Sequence, residues 1–350
     1  HFTIHSFPTR RSSDLGAEEI AVETVESIEA LRDSGEGNAH ALEVALIHAR
    51  NLIGKIAILR GSTSKARELF EANRQLAAEW GWDDEIGRAE GNLGLVALQE
   101  KDFVKAIDRL ETSRDLTRSP VAVRQAFTWI NLGIVHQHRG HWDESLSHYL
   151  KALRAARQTG DDATYGLAAY NLVTLYENLG AFDRAQSVIG HVQRHFDEGE
   201  TPRFIGTLPA VVEGGIFLDQ RRYEDALERF DSITDASDES ATGTLPRAEA
   251  ELRSVEAHIA LEQFEAAARI VDNFEMPDGS GAHPQLDALF DLARASLALH
   301  DGALDDAIEY GRESAEVARD AGHVRDALRA SLVLAEALES DGRASEALTI

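Results

Sequence analysis

Four histidines, His136, His138, His141 and His148, stand close together in the chain. Imidazole is a common metal ligand, and a zinc site needs three or four such donors in a tetrahedral set. No carboxylate spacing around these histidines sets a ligand geometry. His136 shares its register with Tyr176, which makes it a packed core residue, while His138 falls on an inner helix face and His141 in a turn. The chain has no cysteine, which removes thiol nucleophiles, disulfides and thiolate metal sites. It also carries no Gly-rich phosphate loop, serine elbow or HExxH helix. Asp83, Asp84, Asp161 and Asp162 fall between helices and read as caps. The expectation is a chain that is no enzyme, with no metal and no cofactor.

The formal charge is −26, spread along the sequence rather than gathered in a tail. Such a surface repels phosphate backbones and anionic lipid, which argues against nucleic acid and membrane as partners. No stretch approaches the ~20 apolar residues that span a bilayer. Only five of the 35 basic residues are lysines, a bias that with abundant alanine points to a GC-rich bacterial genome. A cytoplasmic location is expected.

An internal period positions the polar residues. Phe103, Trp142, Phe182, Tyr223 and Phe264 recur at intervals of 39, 40, 41 and 41 residues. Three residues after each comes a small one, Ala106, Ser145, Ala185, Ala226 and Ala267, and Ala66, Ala307 and Ala347 extend the series. Twelve residues before each lies another slot, held by Gly54, Gly94, Gly133, Val173, Gly214, Val255, Ala295 and Ala335. Each unit is therefore two helices joined by a tight turn, often with glycine (Gly61, Gly140, Gly180, Gly302, Gly342), whose small residues let the backbones approach. Stability comes from stacking each hairpin on its neighbours.

The segments Trp129–Gly133, Gly140–Ser145 and Tyr149 resemble a tetratricopeptide repeat (TPR), as do Gly160–Asp161, Tyr170–Leu172, Tyr176, Gly180, Phe182 and Ala185. The roughly 40-residue period is similar to the long variety in kinesin light chain and bacterial signalling regulators. The resemblance covers about 38 to 350 and implies an all-α, right-handed superhelix (solenoid) of about eight hairpins with a concave groove lined by first helices. Approximate repeats are 38–79, 80–118, 119–159, 160–199, 200–239, 240–280, 281–321 and 322–350, the last truncated. The match weakens toward the C-terminal half. Pro209, near the start of a first helix, and Gly214–Gly215 should loosen one repeat, and polar connectors are expected at Asp235–Pro246 and Met276–Pro284.

Asn92, Asn131 and Asn171 share one slot, two residues before Gly94, Gly133 and Val173. At about 100° per residue this slot lies roughly 200° from the small residue's face. Asparagine is a mediocre helix former, so three copies in helix interiors need a cause. Either the amides grip the backbone of an extended peptide, as in similar repeats, or each satisfies a polar group of a neighbouring repeat. The same count gives Phe127, Ile130, Ile134 and His138 in one repeat, and Tyr170, Thr174 and Asn178 in the next, as flanking groove positions. Asn51, Lys55 and Arg88 are the earlier candidates. The two cations suit a partner's carboxylate or are ordinary solvated residues.

Ser6–Leu15 resembles the translation of a sequencing adapter, so residues 1–15 are expected to be a foreign leader; a transit-like polar leader is the alternative. Residues 16–37 are expected to hold one helix left from a preceding repeat or domain, over Ala17–Arg32, and Ile350 to interrupt a helix. The resemblance implies a non-catalytic protein- or peptide-binding scaffold, the interaction or sensor arm of a larger bacterial regulator. A small-molecule or signalling-peptide sensor controlling a fused output domain is a second reading. A third is an array beside a catalytic domain outside this sequence.

Overall fold

In the computed structural model, which describes residues 11–35, 38–117, 122–196, 203–234, 245–277 and 283–350, every regular element is an α-helix. A lone helix α1 (Arg11–Ser34) comes first. The first helices of successive hairpins are α2 (Ala39–Leu59), α4 (Asp83–Gln99), α6 (Ala122–His138), α8 (Asp162–Asn178), α10 (Arg203–Asp219), α12 (Leu245–Ala260), α14 (Pro284–Asp301) and α16 (Val324–Ser340). Their second helices are α3 (Thr63–Trp80), α5 (Phe103–Leu116), α7 (Trp142–Thr159), α9 (Phe182–Phe196), α11 (Tyr223–Thr234), α13 (Phe264–Asn273), α15 (Leu304–Asp320) and the short α17 (Ala344–Ala347). This is the all-helical, eight-hairpin fold that the period predicts. Residues 1–10 of the expected leader lie outside the described residues, as do 235–244 and 278–282 of the two connectors. Helix α1 starts at Arg11 and runs past the expected Ala17–Arg32 segment at both ends.

The recurring aromatics open the second helices, and the small residues one turn later are sealed: Ala66, Ala106, Ser145, Ala185, Ala226, Ala267 and Ala307 are all 0% exposed. The opposing slot on the first helix meets the residue four beyond the small one, and the two are matched in volume. A Cβ on Gly133 would stand 2.4 Å from the Tyr149 ring, and one on Gly54 2.5 Å from that of Phe70. Where the slot holds Val255, the partner position shrinks to Val271, and the two share one apolar cluster. Close packing requires this reciprocity, since interiors tolerate neither voids nor overlap.

The turn inside each hairpin places one residue in the left-handed region. Glycine takes it at Gly61, Gly140, Gly180, Gly302 and Gly342, but Lys101, Arg221 and Glu262 hold the same position at φ 58–59°. Pro209 lies inside α10, because that helix begins as early as Arg203, and the helix continues unbroken through Gly214–Gly215. Packing divides the chain into two compact units, His1–Asn171 and Leu172–Ile350, with the last turns of α8 in the second.

Candidate peptide-binding surface

In the first unit the expected groove slots carry a buried amide ladder. Asn73 on α3 donates from Nδ2 to the Ile47 carbonyl at 3.0 Å and to Asn51 Oδ1 at 3.1 Å. Asn92 Nδ2 donates to the same Asn51 oxygen at 3.1 Å, so one acceptor on α2 joins two neighbouring helices. Asn171 Nδ2 turns back to the Leu167 carbonyl at 2.8 Å. Asn131 differs: its side chain is 6% exposed, yet its Oδ1 has no hydrogen-bond partner among the described residues. A buried amide oxygen left unpaired costs about 1–3 kcal/mol unless something donates to it.

Around the ladder, Ile130 and Ile134 are buried, Phe127, His138 and Tyr170 are half-buried, and Lys55 reaches solvent. Protein nevertheless crowds the Lys55 ammonium; burial lowers its pKa, and repulsion from Arg88 lowers it further. Arg88 itself pairs with Glu85 at 3.2 Å. Thr174 and Asn178 are half-buried residues of the second unit, and Asn178 Nδ2 is also a buried donor without a partner among the described residues.

The histidines separate. His138 stacks on the Phe103 ring with centroids 5.6 Å apart. His136 and His148 stack on each other at 5.1 Å, and His148 also lies on Trp129 at 5.3 Å. Lys151 sits 4.7 Å over the other partner of this cluster, the Trp129 ring, as a cation–π contact. Burial drives the His148 pKa down to about 4 and lowers that of His136. Stacked rings meet through their faces, which carry no lone pair, and no group of three metal-ligating side chains occurs among the described residues.

The second unit fills the same slots with charge, at positions beyond the expected groove residues. Arg253 occupies the slot of Asn92 and Asn131, Glu249 that of Arg88 and Phe127, Glu256 that of Lys55 and Ile134, and Asp219 that of His138. Continuing the count past Asn178 would have found them. Arg253 makes a two-pronged pair with Asp326 of α16, at 3.0 and 3.2 Å, and its Nε reaches Glu249 at 2.9 Å. Gln285 donates to Glu249 at 3.1 Å. Burial alone would raise the Asp326 carboxyl, but Arg253, with His323, Arg329 and Arg325, holds it at about 2. Burial likewise opposes the Arg253 charge, and Asp326, Glu249 and Glu177 outweigh it, lifting its pKa well above the usual value.

A family described as tetratricopeptide repeat matches residues 124–192. No curated protein sequence matches the chain. Among solved structures, the apo quorum sensor NprR from B. thuringiensis is similar at TM-score 0.60 and 13% identity, covering 97% of each chain. A Rap protein complexed with competence and sporulation factor is similar at TM-score 0.56 and 12% identity, over 96% of this chain and 99% of that one. NprR in complex with its cognate peptide NprX matches at TM-score 0.56 and 14% identity, over 87% and 86%. Residues 124–192 thus match the tetratricopeptide-repeat family, in a chain whose helices follow the fold of TPR-type helical-repeat proteins.

Proposed function

We propose that the chain is a non-catalytic binding module that holds an extended segment of a protein or peptide against the first helices of its first unit. The observation that carries this reading is Asn131, a buried amide whose carbonyl oxygen has no hydrogen-bond partner among the described residues. A peptide N–H is the donor such an acceptor suits, because an extended chain presents one at every second residue on each side. Asn51, Asn92, Asn171, Phe127, Ile134, His138 and Tyr170 shape the site, with Thr174 and Asn178 continuing α8 beyond it. Lys55 and Arg88, two cations close enough to repel, suit a carboxylate on the ligand.

The likeness to a quorum sensor, to a Rap protein complexed with competence and sporulation factor and to NprR with its cognate peptide favours a signalling peptide as the ligand, with binding read out by a partner or fused domain. The composition supports a bacterial cytoplasmic protein as part of this proposal. No described helix is long and apolar enough to cross a membrane.

The test uses peptides selected on the whole chain from a random 12-residue phage library. Asn131→Ala should weaken those peptides about tenfold, the value of roughly one hydrogen bond, without lowering the melting temperature of the free chain. Lys55→Glu should shift the selected sequences away from acidic residues. Equal affinity for Asn131→Ala and the parent chain would place binding elsewhere.

A further inference from the structure

At the turn between α3 and α4 the first unit departs from its own repeat. Gly81, Gly160 and Gly322 make the same left-handed turn between hairpins, at φ 66–78°. Thr159 and Asp161 flank Gly160, and Ala321 and His323 flank Gly322. Gly81, by contrast, lies between Trp80 and Trp82, so the turn itself does not require the tryptophans. Their rings stack with centroids 5.2 Å apart. His40 of α2 meets both edge-to-face, at 5.9 Å from Trp80 and 4.9 Å from Trp82. Trp82 also packs on the core around Leu46 and Leu76, whereas Trp80 is 41% exposed.

A cleft of about 400 Å³ opens beside these rings, lined by His40, Val44 and Trp82 and by the carboxylates of Asp83, Asp84 and Glu85. Among the described residues no lysine or arginine lines it. Acids at a helix N-terminus are common, because the helix dipole favours them. Elsewhere in the array one suffices: α8, α14 and α16 carry a single acid in the first turn, whereas α4 carries three. Glu85 gives one oxygen to Arg88 at 3.2 Å, while its buried Oε2 has no hydrogen-bond partner among the described residues. The cleft therefore joins aromatic walls to negative charge that Arg88 meets through one oxygen.

We propose that this cleft binds an organic cation whose charge is carried among CH groups, an alkylated ammonium or a guanidinium. Tryptophan is the strongest cation–π partner among side chains, and the carboxylates add direct Coulomb attraction. Val44 and the rings cover the apolar substituents that such a cation carries. A divalent metal ion fits less well, because it needs oxygen ligands all round and gains little from rings. An anion is repelled by the three acids. The same chemistry is offered by a free quaternary amine and by a partner's arginine side chain. The cleft shares no lining residue with the proposed peptide surface, so the cation site stands or falls by itself.

Choline and 3,3-dimethylbutan-1-ol have the same shape and differ in charge, which makes them the probes. Titrated into the full chain at low ionic strength and followed by tryptophan fluorescence, choline should bind saturably and the alcohol at least about fivefold more weakly. Nα-acetylarginine amide in the same assay separates the sources. Tighter binding than choline assigns the cleft to a partner's arginine, and weaker binding assigns it to a free quaternary amine. The triple change Asp83→Asn, Asp84→Asn and Glu85→Gln keeps the shape, removes the charge and should weaken choline about tenfold. His40→Ala, at an exposed position, should weaken it about threefold and keeps the test decisive if the triple variant melts early. Asn131→Ala should bind choline as the parent does. Equal affinity for choline and the alcohol overturns the proposal, and so does choline binding that survives intact in His40→Ala and in the triple variant.

Discussion

Two residues before the close-approach position, the first unit has Asn92, Asn131 and Asn171, and the second unit has Arg253. The backbone setting is the same; the consequence of burial is not. A neutral amide can be buried half-satisfied at moderate cost, and Asn131 is left so, while Asn92 is served by Asn51. A buried guanidinium has to be paired completely or it unfolds its surroundings, and Arg253 is pinned by Asp326 and Glu249. In the first unit Arg88 of an inner slot pairs with Glu85, and Arg109 stands off these slots between Glu71 and Glu90. The charged inner slots of the second unit are therefore committed to one another, whereas Asn131 in the first keeps bonding capacity for something else.

The largest effect should come from breaking the charged version. Arg253→Ala leaves Asp326 and Glu249 without their cation and should cost about 3–5 kcal/mol, read as a urea midpoint. Asn51→Ala, which orphans the Asn92 donor and leaves Asn73 only the Ile47 carbonyl, should cost about 1–3 kcal/mol. Equal losses would erase the distinction between the two units. Acid sharpens it. Asp326 is depressed to about 2, so its contribution is full above the ordinary carboxylate range and lost as pH falls toward that value. The second unit should accordingly lose amide protection in acid first, and Asp326→Asn should remove that step.

A middling effect tests what both units share. Gly133→Val drives a branched side chain into the Tyr149 ring, where even a Cβ would approach to 2.4 Å. The expected loss is about 1–3 kcal/mol. Adding Tyr149→Val recreates the Val255 and Val271 pairing found in a later repeat, and should recover about 1 kcal/mol or more as coupling. Strict additivity of the two changes would refute volume matching as the rule of the hairpin.

How legible this was depends on what a slot constrains. The hairpins could be read because sterics act locally: only a small residue fits at Ala106 or Ala185, and only an aromatic or large apolar group covers the crossing at Phe103 or Phe182. Helix α10 was misjudged at its start because Pro209 reads as a helix opener, whereas the helix begins upstream at Arg203. The Asn slot was visible as a recurrence, but its chemistry was not. Whether an amide finds a neighbour depends on Asn51 and Asn73, which lie outside the repeating slot. The charge cluster was hidden for a different reason. Its partners are separated by as many as 148 residues, and α16 contributes Arg325 and Asp326 from positions that the recurring slots do not include.

The smallest effect concerns the turn within the hairpins. Five repeats place glycine in the left-handed position, whereas one repeat in the second unit places Glu262 there at φ 58°. A side chain in this region costs about 1 kcal/mol through the clash of Cβ with the backbone. Glycine removes that clash but adds freedom to the unfolded chain, which returns part of the gain. Glu262→Gly should therefore stabilise the second unit by about 0.5 kcal/mol, a rise of roughly 1–2 °C in its melting temperature. The reverse change at a glycine turn of the first unit, Gly140→Glu, should cost about 1 kcal/mol with no strained neighbour to relax. If Glu262→Gly destabilises instead, the glutamate side chain holds a contact that outweighs the strain, and the turns of the two units are not equivalent.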